Sequence, residues 1–483
     1  MDRFARLVDE LAECDNGTGQ QLALLDEYLI SAPAADRAWA IYLLWGQRPS
    51  RKCTAKALVM ALHSFAPWPP WIIDACVRHT GDRLGTCAYL VAASDRSRIA
   101  LAELMAMDFD VNESSWLAIG PLLSVPAAHV YFQLLTGTFI SPAARLSMAE
   151  ALANFWRCPS YAVQQALVGR WSVDRLEAPP SLTTEGAPGA LCRLVETSNP
   201  MQGCNEEWGM AAFNDGVRVQ VVRSDAAVWV WSADGLLLND AVPEIVVRLE
   251  QLPTGAHIDG YLVAITSDGY SDRLSLERRL SCLPGRSTAI ERVEFVMRDV
   301  LYADGMDVRT RAFRARLRYI ERWCACSGLP MAQWSRPTDR STASILMRMG
   351  ASYEEGGFLV SRRPIVVRAM LYSAKRAEEH AGYESFTFAM LRQGILVPIA
   401  TVHDGLIELE QQVNMHKTER FGPVQMIEPG ALYRLSIGDA YRSSRRKSGF
   451  ECRSVEILGA VEMDASVGAV HDLTAALHEV SLD

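Results

Sequence analysis

A chain of 483 residues is long enough for two to four domains, each with its own core. Hydrophobic residues make up 49% and charged residues 22%, the balance of ordinary soluble globular protein, and a formal net charge of −9 excludes a global basic field for nucleic acid. The eleven cysteines show no paired metal-ligand spacing: Cys324 and Cys326 form a lone C-x-C, so no metal is expected and the thiols read as structural.

The first third reads as helices. Phe4, Leu7, Val8 and Leu11 recur at i, i+3, i+4 and i+7, one face of a helix. Leu22, Leu25, Tyr28 and Leu29 predict a second helix, and a third runs over 35–45 and stops at Gly46. The amphipathic, charged start lacks a secretory signal, which predicts a reducing, cytoplasmic compartment. The most apolar run, 116–140, contains Pro121, Pro126, His129 and Gln133 and reads as a buried helix pair, with no membrane expected.

Residues 171–205 hold breakers such as Ala178-Pro179-Pro180-Ser181 and read as a linker. The period then switches to two. Val217, Val219 and Val221 alternate with Arg218 and Gln220, and Ser224-Asp225-Ala226-Ala227 turns the chain into Val228-Trp229-Val230-Trp231, a β-hairpin. Strands are expected near 257–264 and 293–302, and helices near 241–251 and 309–326, an α+β pattern. Short strands at 386–390, 394–399 and 431–436, a helix over 403–417 and a final helix over 469–480 suggest a small barrel such as an OB fold.

Charge is placed unevenly. Only five of the 48 basic side chains are lysine (Lys52, Lys56, Lys375, Lys417 and Lys447), and none lies between 57 and 374. Arginine is dense over 311–450, and 454–483 contains neither Lys nor Arg. Arg442, Arg445, Arg446 and Lys447 fall within six positions, a pattern that suits phosphate contacts and equally a solvated loop.

Several local stretches, in order, resemble ATP-dependent DNA ligases of the bacterial type. Phe4-Ala5-Arg6-Leu7 and Ala38-Trp39-Ala40-Ile41-Tyr42 resemble the opening of their helical DNA-binding domain, and Leu134-Leu135-Thr136-Gly137 its DNA-gripping loop. Asp215-Gly216-Val217-Arg218 resembles the end of K-x-D-G-x-R, Asp259-Gly260 the start of D-G-E, and Glu355-Gly356-Gly357-Phe358-Leu359 resembles E-G-x-x-L-K without its lysine. Arg420-Phe421-Gly422-Pro423-Val424 and the run 442–449 resemble their barrel-domain text. Read alone, Asp215-Gly216 and Asp259-Gly260 are ordinary turn pairs.

The resemblance implies a multidomain fold: an all-α DNA-binding domain over 1–175, an α+β nucleotidyltransferase-like domain (the ATP-grasp-type ligase core) over 176–364, and a β-barrel OB-fold domain with a C-terminal helix over 365–483. It also implies a lysine that attacks the α-phosphate of ATP. Phe213 stands there, Tyr261 replaces the ribose-binding carboxylate, and Val360 replaces the lysine of E-G-x-x-L-K. Nucleotidyl transfer needs a nucleophile and cations that hold phosphate charge, and these residues are neither.

The expected protein is therefore a pseudo-ligase that binds duplex DNA, nicked or gapped, in the cytoplasm at the nucleoid. A helicase, nuclease or active ligase would be its DNA-repair partner. Thr136, Gly137, Arg442, Arg445, Arg446 and Lys447 would contact DNA. Asp215, Gly216, Arg218, Asp259, Phe295 and Glu355 would be remnants of a nucleotide pocket, Phe295 standing at the adenine-stacking position or simply in the core. No cofactor is expected beyond weak ATP or ADP, with Mg²⁺ only alongside nucleotide. The alternatives are a divergent active ligase with an unusual mechanism, or a protein–protein scaffold without DNA binding.

Overall fold

A computed structural model describes residues 1–14, 18–107, 113–176, 185–197, 207–213, 216–265, 273–281, 292–337, 344–360, 365–376, 382–403, 407–442 and 446–461. The chain forms two compact units. The first gathers Met1–Pro188 together with Asp234–Ala241, and the second is built from the other described residues after Gly189.

The first unit is helical: α1 (Asp2–Glu13), α2 (Thr18–Ser31), α3 (Ala34–Leu44), α4 (Ala55–Phe65), α5 (Pro70–Thr80), α6 (Arg83–Val91), α7 (Leu101–Ala106), α8 (Glu113–Ala118), α9 (Val125–Thr136), α10 (Arg145–Trp156) and α11 (Ser160–Ala166). Local chemistry sets several ends. Thr54 Oγ1 accepts from Ala57 N at 2.9 Å to cap α4, and Asp82 Oδ1 accepts from Leu84 N and Gly85 N, both at 3.0 Å, to cap α6. Gly81 and Gly137 close α5 and α9 in the left-handed region. Phe4, Leu58, Leu62, Leu117, Tyr131, Phe132 and Leu152 are buried in one core. Of the run 116–140, expected to be a buried helix pair, 125–136 form one full helix, α9, while 116–118 are only the end of the short α8 and a 3-10 turn at Gly120–Leu122 lies between them.

The segment Asp234–Ala241 belongs to this unit although strands precede and follow it in sequence. Gln164 clamps it from both ends of its amide: Nε2 donates to Gly235 O at 2.9 Å, and Leu237 N donates to Oε1 at 2.8 Å. Gly169 N donates to Asp240 Oδ1 at 2.9 Å, and Arg145 Nη2 lies 3.5 Å from Asp240 Oδ2.

The second unit mixes sheet and helix. Its strands are β1 (Leu194–Thr197), β2 (Trp208–Ala212), β3 (Val217–Arg223), β4 (Val228–Ser232), β5 (Ala256–Ile265), β6 (Arg292–Ala303), β7 (Met306–Asp307), β8 (Ser344–Arg348) and β9 (Gly357–Val360). They make a four-stranded sheet in the order β1-β9-β8-β2 and a five-stranded sheet in the order β4-β3-β5-β6-β7. The helices are α12 (Pro243–Leu249), α13 (Arg273–Ser281) and α14 (Phe313–Ser327).

A third, curled sheet follows, made of β10 (Ile365–Arg376), β11 (Tyr383–Arg392), β12 (Ile395–Val402), β13 (Lys417–Phe421), β14 (Val424–Ile427), β15 (Leu432–Arg442) and β16 (Phe450–Ala460). Strand β10 is its spine: Ile365–Met370 pair with β15, and Met370–Arg376 with β11. Helix α15 (Ile407–His416) adds Leu409 and Val413 to a core with Leu371, Phe386, Phe388, Leu435 and Ile437. The final helix expected over 469–480 lies outside the described residues.

Candidate functional site

Strand β5 lies between β3 and β6 and carries the Asp259-Gly260-Tyr261 text. Arg218 of β3 stands opposite Tyr261, and Asp259 is two residues earlier, so the period of two places all three on one face. The β5–β6 register passes from Gly260↔Met297 to Asp259↔Asp299, so Arg298 is the extra residue of a bulge. That bulge lets Arg298 reach Asp259.

Asp259 is fully buried. It accepts from Arg218 Nε at 3.2 Å and Nη2 at 2.6 Å, from Arg298 Nη2, and from the Tyr353 hydroxyl at 2.7 Å. Cys192 closes the group: its carbonyl accepts from Arg218 Nη1 at 2.9 Å, and its Sγ lies 3.3 Å from Arg218 Nη2 and 3.4 Å from Arg298 Nη2. Burial opposes ionisation of Asp259, but Arg298 and Arg218 outweigh it and hold its carboxyl at about 2. Burial works against both guanidinium groups in turn, and Asp259 reverses that, leaving both above their ordinary range. Burial, then Asp259, lifts the Tyr353 phenol far above its usual range, so Tyr353 is a neutral donor here. Two cations against one anion leave a positive charge in the interior.

A second buried pair sits beside the first. Arg316 of α14 grips Asp299 through Nε at 2.7 Å and Nη2 at 2.9 Å, a bidentate pair, and Nη1 donates to Ala351 O at 3.1 Å. The same guanidinium lies 5.7 Å from the centre of the Tyr353 ring.

The structure places the other expected pocket residues as follows. Phe213 precedes β3, and its ring meets that of Tyr261 edge-on, with centroids 5.0 Å apart at 73°. Burial pushes the Tyr261 phenol up to about 12, and its hydroxyl has no hydrogen-bond partner among the described residues. Gly216 needs to be glycine, because a Cβ there would stand 2.8 Å from Tyr261 Cβ. Val360 ends β9 in a small core with Met210 and Leu346. Phe295 is fully buried, and its ring lies where a side chain on Gly260 would be. Glu355 is exposed on a turn, accepting from Ser352 N at 2.8 Å and from Arg348. So Arg218, Asp259, Tyr261 and Phe213 are brought together, while Glu355, on its exposed turn, bonds Ser352 and Arg348. Asp215 lies outside the described residues.

For the expected DNA contacts, Thr136 is not in a loop. It forms the last turn of α9 and is buried, with its hydroxyl donating to Phe132 O at 2.7 Å, because Gly137 and not Leu134 ends the helix. Gly137 is the surface turn, and the exposed Arg51 and Lys52 stand beside it: Lys52 N donates to Leu135 O at 2.9 Å, and Arg51 Cβ lies 3.3 Å from where a Gly137 Cβ would be. Arg446 and Lys447 are exposed after β15 and line a cleft of about 390 Å³ with Pro398–Thr401, Glu451 and Cys452. Arg392 donates to Lys447 O and ties this loop to β11. Arg442 ends β15; its side chain and Arg445 lie outside the described residues.

Sequence reasoning missed Arg298, Asp299, Arg316, Tyr353 and Cys192. A signal existed for three of them. Arg298-Asp299 interrupts the apolar run from Phe295 to Tyr302, and Arg316 occupies a core-face position of α14 with Phe313, Leu317 and Ile320. Among the described residues no three His, Cys, Asp or Glu side chains gather as a metal set.

No family model matches the chain, and no curated protein matches it. Solved structures do. The ligase domain of M. tuberculosis LigD is 17% identical, with 56% of this chain and 95% of that one covered at a TM-score of 0.33. A mycobacterial DNA ligase D complexed with ATP and MES is 18% identical, covering 57% and 96% at 0.34. A structure named Pmar-Lig_PreS3 is 11% identical, covering 95% and 99% at 0.40. Likeness at this distance identifies neither an activity nor a ligand for this chain.

Proposed function

We propose that this chain is a ligase-like protein that binds duplex DNA, at nicks or gaps, without forming a lysine–adenylate. The observation that carries this reading is the Phe213–Tyr261 ring pair. By the motif resemblance, an attacking lysine and a ribose-binding carboxylate would stand at those two positions. The residues present do not fit a covalently held nucleotide. Phe213 and Val360 offer no nitrogen, the Tyr261 phenol is held neutral, and Arg218 is committed to Asp259 in the core. Any ATP or ADP here would be held non-covalently, and Mg²⁺ only with it.

DNA is approached through two cationic surfaces: Gly137 with Arg51 and Lys52 on the helical unit, and Arg446 with Lys447 after β15 on an OB-like barrel. Such contacts position the backbone without reading sequence. A nick- or gap-processing partner, such as a helicase, nuclease or active ligase, would complete the chemistry.

The test has two arms. Incubation with α-labelled ATP and Mg²⁺ or Mn²⁺, followed by a denaturing gel, is expected to give no labelled band. Phe213→Lys is expected to stay unlabelled too, since groups that act as a unit do not return singly. A phosphoramidate band in the parent overturns the reading in favour of an active ligase. Electrophoretic mobility with nicked, gapped and intact duplexes is expected to show binding, and no shift on any of them would point to a protein scaffold.

A further inference from the structure

The helical part of the acidic chain carries a local reversal of charge. Residues 51–98 hold seven Lys and Arg against three Asp. Within it lies Phe65-Ala66-Pro67-Trp68-Pro69-Pro70-Trp71, which joins α4 to α5. Both indoles face solvent: Trp68 is 51% and Trp71 70% exposed. Large exposed apolar side chains scattered singly need no explanation, but Met60 and Phe65 are exposed beside them in sequence.

Part of this exposed surface falls in two helical rows. Lys56, Met60 and His63 recur at i, i+4 and i+7 on α4, and Trp71, Asp74 and Arg78 at i, i+3 and i+7 on α5. His63 Nε2 meets Asp74 Oδ1 at 3.1 Å and joins the two rows. Of the acids here, Asp74 is thus taken by His63, and Asp82 caps α6. Lys56, Arg78 and Arg83 are exposed and form no ion pair among the described residues. Pro67, Pro69 and Pro70 fix φ along the turn, so little entropy is lost when the indoles are engaged.

We infer that this face is a platform for single-stranded nucleic acid, a function separate from the duplex contacts proposed above. Flat apolar rings need flat partners, and cations in the same rows need phosphates. An unpaired polynucleotide supplies both at once. A duplex supplies phosphates but keeps its base faces stacked inside. On a nicked or gapped substrate the occupant would be the unpaired stretch.

The test uses the full chain and fluorescence anisotropy with labelled oligo(dT) of about 15 nucleotides, beside a blunt duplex of equal length. The parent is expected to bind oligo(dT). Trp68→Ala/Trp71→Ala is expected to weaken that binding by at least about tenfold, with duplex affinity kept. Trp68→Phe/Trp71→Phe, which retains the ring faces, is expected to keep most of it. Lys56→Ala/Arg78→Ala is expected to flatten the salt slope by roughly 1.4, at about 0.7 per contact on single strands.

Three results would overturn the inference: no oligo(dT) binding by the parent, equal binding by the double alanine variant, or equal loss on duplex and single strand. Preference for anionic phosphatidylglycerol vesicles over oligo(dT) in competition would overturn it as well, since indoles and cations also suit a membrane surface. If the parent fails on duplex alone, the duplex reading falls and this one stands.

Discussion

Two titratable groups two residues apart on β5 are perturbed in ways that separate on the pH scale. Burial, then Arg309, lowers the His257 imidazole to about 4, and its Nδ1 has no hydrogen-bond partner among the described residues. Asp259 is held at about 2 by its two arginines against its burial. Both folded values lie below the unfolded ones, roughly 6.5 for His and 3.9 for Asp. In each case the unfolded chain takes up the proton first, so stability is full above the unfolded value and falls as pH drops toward the folded one. Acidification is therefore expected to destabilise the chain in two stages, from about pH 6.5 to 4 through His257 and from about 4 to 2 through Asp259. Each stage is on the order of 3 kcal/mol, since a tenfold difference in proton affinity between folded and unfolded chain is worth about 1.4 kcal/mol. His257→Phe keeps the ring against Tyr302 (4.7 Å between centroids) and removes only the first stage. Urea denaturation across pH 3–7 measures this; an unchanged curve in the variant between pH 4 and 6.5 would assign that stage to another group.

At the scale of elements, much was legible because the signals are local. The β3–β4 hairpin, β5, β6 and α14 follow from period and turn residues, which depend on a few neighbours. The end of α9 was not. Leu134-Leu135-Thr136-Gly137 reads as loop text, yet the helix continues until Gly137 supplies the left-handed cap. The Asp259 cluster was legible only in part, since a bulge at Arg298 and a tyrosine 94 residues away in sequence are long-range choices. The basic loop after β15 stands between, with its charge plain in sequence and its exposure seen at Arg446 and Lys447. If about three of Arg442, Arg445, Arg446 and Lys447 engage phosphates, changing all four to alanine flattens the slope of log K against log salt on duplex DNA by roughly 3, at about 0.9 per contact. Affinity is expected to fall alike on unrelated sequences. A salt titration by anisotropy checks it, and identical slopes would return the loop to solvated surface.

At the scale of the molecule, the order of residues in the chain and the order of packing differ. A cut between helical and α+β sequence near residue 188 would strand Asp234–Ala241, which packs with the helices. Its Leu237 and Leu238 are buried, and Asp240 meets Arg145, a largely buried guanidinium whose cationic form burial disfavours and Asp240 supports only in part. Arg145 also lies 5.5 Å from the centre of the Trp45 ring. Asp240→Ala leaves a buried cation and the Gly169 amide without their acceptor. Loss of one partner of a buried pair costs about 3–5 kcal/mol, and the 3.5 Å separation with partial exposure puts this one nearer 2. The expected result is that peptides from the helical unit become protease-sensitive at lower urea in Asp240→Ala, although residue 240 lies beyond four strands of the second unit. Arg145→Met/Asp240→Leu, an apolar replacement of both partners, is expected to recover most of the loss. Mass spectrometry of the cleavage sites reads the outcome directly. Unchanged protection of α10 and α11 in Asp240→Ala would mean that the excursion only rests on the helices and does not help to hold them.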